Sequence, residues 1–171
     1  LKVAVDLKVK RVVVASSSSA AYGLSPYAVS KMTTEWLAQM FWNTFQLDAV
    51  CLRFFNVFGP GQDPDSPYAA VIPKFLSAIL RDEPVTIYGN ATRDFTYIDN
   101  VVQAIVLALT AQNVAGEVLD IGGGEVHTVM DVVVTLCEAL HRPMVVPIME
   151  PARVGDVKNS QAEMGKAYEL L

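Results

Sequence analysis

Residues 11–31 read Arg11-Val-Val-Val-Ala-Ser-Ser-Ser-Ser-Ala-Ala-Tyr-Gly-Leu-Ser-Pro-Tyr-Ala-Val-Ser-Lys31, and a long helical stretch leads from there to Asp48-Ala-Val-Cys-Leu-Arg-Phe54. The run from Arg11 to Ser16 is short, apolar and β-branched, which predicts a buried strand. Ser25 followed by Pro26 is a helix cap with proline in the first turn, and predicts a helix to about Phe45. Asp48 to Phe54 is a second apolar strand. Strand, long helix, strand is the right-handed crossover unit of a parallel sheet.

The rest of the chain continues the alternation. Asn56 to Pro67 holds three prolines and two glycines and reads as loop. Tyr68 to Arg81 reads as helix despite Pro73, and Val85 to Tyr88 as a short strand. Asp99 is placed to cap a helix to about Ala111. Glu117 to Ile121 is a strand that ends in Gly122-Gly-Gly124. Thr128 or Asp131 opens a helix to about His141, Met144 to Ile148 is a short strand, and Ser160 caps a last helix. Alternating strands and helices, with no repeat or low-complexity linker, mean an α/β fold.

Composition narrows the class. The hydrophobic fraction is 52% and charged residues are 18%, low against a typical ~25%, which suits a sheet covered on both faces. A net charge of −5 without a basic run speaks against nucleic acid as a partner. No apolar run reaches the ~18 residues of a membrane span. Cys51 sits in an apolar strand and Cys137 in an amphipathic helix, so both are expected as buried thiols in a cytoplasmic setting. His127 and His141 lack metal-ligand spacing. Leu1 to Asp6 reads as the end of a helix entered midway, and the chain is expected to be a fragment.

Tyr27 and Lys31 lie four apart and share one helix face. An ammonium beside a phenol favours the phenolate and makes a tyrosine a usable base near neutral pH. With six tyrosines in the chain, chance alone gives about a quarter of such a match. The spacing gains weight from its position, just after a strand that ends in four serines, and there it points to proton and hydride chemistry with a nicotinamide cofactor. Gly122-Gly-Gly124 lacks the G-x-G-x-x-G spacing and reads as a plain strand-to-helix turn. A dinucleotide glycine fingerprint belongs to the first strand of such a fold and is absent from these residues.

Seven segments, in order, resemble the extended short-chain dehydrogenase/reductase family, and more narrowly its nucleotide-sugar 4-epimerases. They are Ala15-Ser-Ser-Ser-Ser-Ala-Ala-Tyr-Gly23, Ser25-Pro-Tyr-Ala-Val-Ser-Lys31, Leu52-Arg-Phe-Phe-Asn-Val-Phe-Gly-Pro60, Tyr68-Ala-Ala-Val-Ile-Pro73, Ile87-Tyr-Gly89, Arg93-Asp-Phe-Thr-Tyr-Ile-Asp99 and Pro151-Ala-Arg-Val-Gly-Asp156. The resemblance implies a Rossmann-type doubly wound parallel sheet and a smaller C-terminal α/β substrate domain. Residues 1–67 would belong to the NAD domain and 68–171 mainly to the substrate domain, with some later segments returning to the sheet.

The resemblance also implies roles. Ser18, Tyr27 and Lys31 would be catalytic. Ser16, Ser17, Phe54 and Phe55 would stand with Tyr27 and Lys31 against NAD. Asn56, Arg93 and Arg153 would hold the diphosphate of a UDP-sugar, since arginine forks suit phosphate oxygens. Ala70 and Val71 would offer backbone groups, Thr86 and Tyr88 would line the base pocket, and Asp156 would take ribose hydroxyls. The implied reaction is inversion at C4 of UDP-glucose or UDP-N-acetylglucosamine, with UDP-glucuronate a further candidate. Sugar 4,6-dehydratases and decarboxylases carry carboxylates just after the catalytic serine; Ser19 and Ala20 stand there instead, which favours epimerisation. A non-catalytic NAD-binding relative is the alternative of another class. Trp36, Met40, Phe41 and Trp42 on the long helix pack a core or a homodimer interface. The chain departs from the family pattern where Gly23 is followed at once by Leu24-Ser-Pro-Tyr27, since relatives place a longer loop there.

Overall fold

The computed structural model describes residues 1–66 and 69–171. In chain order the elements are α1 Lys2–Asp6, β1 Val12–Ser17, α2 Pro26–Phe45, β2 Ala49–Phe54, β3 Val57–Phe58 and α3 Val71–Leu80. Then come β4 Thr86–Tyr88, β5 Thr92–Asp94, β6 Thr96–Tyr97, α4 Ile98–Thr110 and β7 Val118–Ile121. The last are β8 Val126–Thr128, α5 Val129–Ala139, β9 Ile148–Glu150, β10 Asn159–Ser160 and α6 Gly165–Leu170.

The main sheet has the order β1-β2-β7, all parallel. Its central strand β2 is buried from Ala49 to Leu52, as a continuous apolar run in a doubly covered sheet must be. Alternation sends successive side chains to opposite faces. Val50 and Leu52 pack with Ala104, Ala108 and Ala167 of α4 and α6, while Ala49 and Cys51 pack with Ala38 of α2. Arg11 locks the start of this layer. Its guanidinium donates to both carboxylate oxygens of Asp48, at 3.0 and 2.7 Å, and to the carbonyls of Ala108 and Ala111 at the end of α4. A cation there also satisfies the negative helix terminus.

A second cluster joins Phe75 and Ile79 of α3, Val85 and Ile87, and Val132, Val133 and Cys137 of α5. It carries the parallel pair β4–β9 and the sheet β10-β5-β8, in which β5 and β8 run antiparallel. The pair β3–β6 links the end of β2 to the start of α4. The expected boundary between residues 67 and 68, and the first residue of the expected helix from Tyr68, lie outside the described residues.

The α/β class, the crossover strands and the long helix are as the sequence predicts. Ser25 caps α2 by accepting from the Ala28 amide, with Pro26 in the first turn. Pro73 is tolerated because it falls in the first turn of α3, where its missing N–H has no intrahelical partner. Three expectations need correction. Asp99 lies inside the first turn of α4, behind a Tyr97 cap that uses no side chain. The strand expected over Met144–Ile148 forms at Ile148–Glu150, where the backbone finds β4 to pair with. Ser160 caps no helix: it pairs with Arg93 in a two-residue bridge, and α6 begins at Gly165.

Candidate active site

β1 ends in Ser17, and Ser18–Ala21 form a single 3-10 turn that packs against α2. The Ser17 hydroxyl accepts from the Ser19 amide and hydroxyl, at 3.3 and 2.9 Å. Gly23 takes a φ of +65°, a left-handed value that glycine adopts without strain. The short link from Gly23 to Ser25 therefore reverses the chain directly into α2.

Tyr27 stands at the start of α2 with 56% of its surface exposed. The Lys31 ammonium lies 5.8 Å from the centre of its ring and donates to the Ala15 carbonyl at 3.0 Å. A phenol and an ammonium thus stand beside the carboxyl ends of parallel strands, which is where open α/β sheets bind ligands. Their donor chemistry fits a dinucleotide's ribose hydroxyls and amide. The neighbouring strand-end side chains divide. The Ser16 hydroxyl is buried and donates to Glu35 at 2.5 Å, so it is committed to the helix. Phe55 is buried, and Phe54 is half-buried against the α4–α6 layer.

A cavity of about 540 Å³ opens against β3, whose Val57 and Phe58 line it, within the usual range of small-ligand sites. Asn56, Ala70, Val71, Thr86, Tyr88, Arg93, Arg153 and Asp156 all line it. These residues come from five separate segments. Ser18, Tyr27 and Lys31 are not among the lining residues.

Arg93, Arg153 and Asn56 of the cavity wall each have a defined partner. Arg93 donates to Asp156 at 2.6 Å. The Arg153 guanidinium lies 3.8 Å from the centre of the Tyr88 ring, a cation–π stack that covers one face of the aromatic platform. The Asn56 amide donates to the Asp94 carbonyl at 2.7 Å, which fixes the end of β2 to β5. The segment that carries Arg153 and Asp156 also reaches the link between β1 and α2. A side chain on Gly155 would come within 3.3 Å of the Leu24 carbonyl, and Tyr22 donates to the Asn159 carbonyl.

Four polar residues that the sequence reading gave no role hold this arrangement. Asp94 is fully buried, and its carboxylate accepts from the amides of Gly123, Gly124 and Ala162. The amides of this glycine run are thereby spent inside the protein, and the run is a turn, though it leads from β7 into β8 where a turn into a helix was expected. Glu35 is buried under α2 and takes the Arg53 guanidinium in a two-pronged bond of 2.8 and 2.7 Å. That hydrogen bond is the main reason the Arg53 guanidinium sits above its ordinary value. Asp120 lies 3.6 Å from Arg53; burial pushes its carboxyl up, against the pull of the Glu163 amide and Arg53. No local pattern in the sequence marks Glu35, whose partners Ser16 and Arg53 lie on other elements.

The fold is that of the extended short-chain dehydrogenase/reductase class. Residues 1–122 match the NAD dependent epimerase/dehydratase family, and the chain belongs to it. An uncharacterized UDP-glucose epimerase of Bacillus subtilis (strain 168), YtcB, is 35% identical over 150 residues, 86% of this chain and 46% of that protein. The UDP-glucose 4-epimerase of Thermotoga maritima, solved with UDP-glucose, superposes with a TM-score of 0.90 at 32% identity, over 99% of this chain and 59% of that one. The UDP-glucuronic acid 4-epimerase of Bacillus cereus, solved with UDP-glucuronic acid and NAD, gives 0.89 at 32% identity, over 99% and 58%. The chain spans about half the length of the curated relatives it matches. Among the described residues no helix is long and apolar enough to cross a membrane.

Proposed function

We propose that the full-length protein is an NAD-dependent 4-epimerase of a UDP-sugar, either the glucose/galactose or the N-acetylglucosamine/N-acetylgalactosamine pair. The observation that carries this reading is the meeting of two sites. An exposed Tyr27–Lys31 pair stands at the strand ends, and a cavity with Arg93 and Arg153 in its wall opens against β3, with the segment from Arg153 to Asn159 lining the cavity and bonding Tyr22 just before α2. Relatives solved with UDP-sugars support it.

Each residue has a task in this reading. Arg93 and Arg153 hold the diphosphate, Asn56 assists, and Asp156 accepts from the ribose; Ala70, Val71 and Thr86 border the nucleotide. For this, Arg93 leaves Asp156 for a phosphate oxygen, and Arg153 moves from the Tyr88 face so that the base can stack there. Lys31, Ser17 and Phe54 bind the nicotinamide half of NAD. Bound NAD supplies reversible oxidation at C4. Tyr27, assisted by Ser18, takes the proton from the 4-hydroxyl and returns one to the oxygen after the sugar has turned about its diphosphate. Holding the nucleotide while the sugar swings places the binding energy away from the reacting centre. Ser19 and Ala20 offer no carboxylate for elimination, which sets dehydration second.

Residues 1–67 serve NAD and residues 68–171 mainly the sugar nucleotide, with α4 and β7 returning to the main sheet. The exposed Trp36, Leu37 and Met40 of α2 make a homodimer face. The two free cysteines fit the reducing cytoplasm.

The test is incubation of the full-length protein and NAD with UDP-glucose and, separately, UDP-N-acetylglucosamine, read by NMR at C4. Inversion of one or both is expected, with a loss of about a thousandfold or more in Tyr27→Phe. A 4-keto-6-deoxy or pentose product would replace the reading with dehydration or decarboxylation.

A further inference from the structure

Helix α2 carries Tyr27, Lys31 and Glu35 at steps of four along one side. Its fully buried residues are Ala28, Glu35 and Ala38. Two of the three are alanines, whose single methyl groups each make few dispersion contacts. Glu35 is different. Its side chain is 3% exposed. One oxygen accepts from Ser16 at 2.5 Å and from Arg53 Nε at 2.8 Å, and the other from the Arg53 terminal nitrogen at 2.7 Å. Ser16 and Arg53 are register partners in β1 and β2, and Arg53 and Asp120 in β2 and β7. One carboxylate therefore ties α2 to two strands directly and reaches the third through Arg53.

We propose that the Glu35–Arg53 pair is a positioning device that sets the rotation and height of α2, and through them the place of Tyr27 and Lys31. This rests on the reading that those two residues face the cofactor and the sugar. Stability alone is a poor explanation of the pair, because well-packed apolar residues commonly replace a buried ion pair at no loss. Direction is what an apolar pair lacks. A rotation of about 10° at a helix radius of roughly 6 Å moves a side chain by about 1 Å. A misplacement of about 1 Å costs on the order of a hundredfold in rate. Lys31 adds one contact, to the Ala15 carbonyl at 3.0 Å, but its long flexible stem holds a position far less tightly than a planar fork.

Two variants of the full-length protein separate positioning from stability. Glu35→Gln keeps the shape and an acceptor for Ser16 but loses the charge. Glu35→Met with Arg53→Met removes both charges of the pair and leaves Asp120 the Glu163 amide as its donor, so it remains informative if the single variant does not fold. The expected result for the double variant is a melting temperature close to wild type. Its kcat per NAD-loaded site should fall by about 10- to 100-fold while KM for the UDP-sugar stays within about threefold. A double variant whose kcat lies within about twofold of wild type overturns the proposal. If wild type inverts no UDP-sugar, the epimerase reading falls by itself, and amide hydrogen exchange decides the clamp. Amides 29–37 of α2 should then exchange about tenfold faster or more in the double variant, with β2 unchanged. Equal rates along α2 overturn it.

Discussion

Cys51 shows how a single side chain reports its surroundings. It is buried in the central strand, and burial, with Glu35 adding, pushes its thiol up to about 12 while Arg53 opposes. Only the thiolate reacts with alkylating agents. Cys51 is therefore expected to stay unlabelled by iodoacetamide at pH 8 in the folded protein and to react once urea unfolds it, as mass spectrometry would show. Fast native labelling would mean that α2 does not cover β2. The same residue shows what a sequence can tell: an apolar run announces burial, and a buried thiol follows. Glu35, two turns past the Tyr27 turn, was not legible in this way. Its partner Arg53 lies on another element, and nothing local marks a glutamate that a helix carries inward.

At the scale of elements, long periodic segments could be read and short ones could not. The helix from Pro26 to Phe45 carries its own cap and proline, and its start and end agree with the sequence. Strands β5, β6 and β10 have two or three residues each. They exist because a partner strand is near, and such lengths hold no period to detect. The start of α5 is a case where local chemistry sufficed. Thr128 accepts from the Asp131 amide at 3.0 Å, and the Asp131 carboxylate accepts from the Thr128 amide at 2.7 Å. This is a reciprocal capping box. Thr128→Ala should cost about 1 kcal/mol in urea unfolding at neutral pH. The hydrogen bonds from the Thr128 side chain and backbone hold the Asp131 carboxyl below its ordinary value. A depressed acid stabilises the fold above its unfolded value, near ~3.9, and that contribution is lost as pH falls through the folded one. Asp131→Asn should therefore lose less stability than wild type between about pH 5 and pH 2. An unchanged acid slope would remove the box from the account.

At the scale of the molecule, the cavity gathers residues from Asn56 to Asp156. No periodicity brings such positions together; motif order did, because each segment is recognisable alone and the fold supplies their meeting. The pairing of Arg93 with Asp156 and the stack of Arg153 on Tyr88 are not legible in the sequence, since a motif names residues and leaves their partners open. The account's central claim is transient oxidation at C4 with return to the same carbon. The most direct measurement follows deuterium placed at C4 of the UDP-sugar through turnover of the full-length protein. Retention of the label at C4 in the inverted product is predicted. Label found at C6 or lost to water would contradict it.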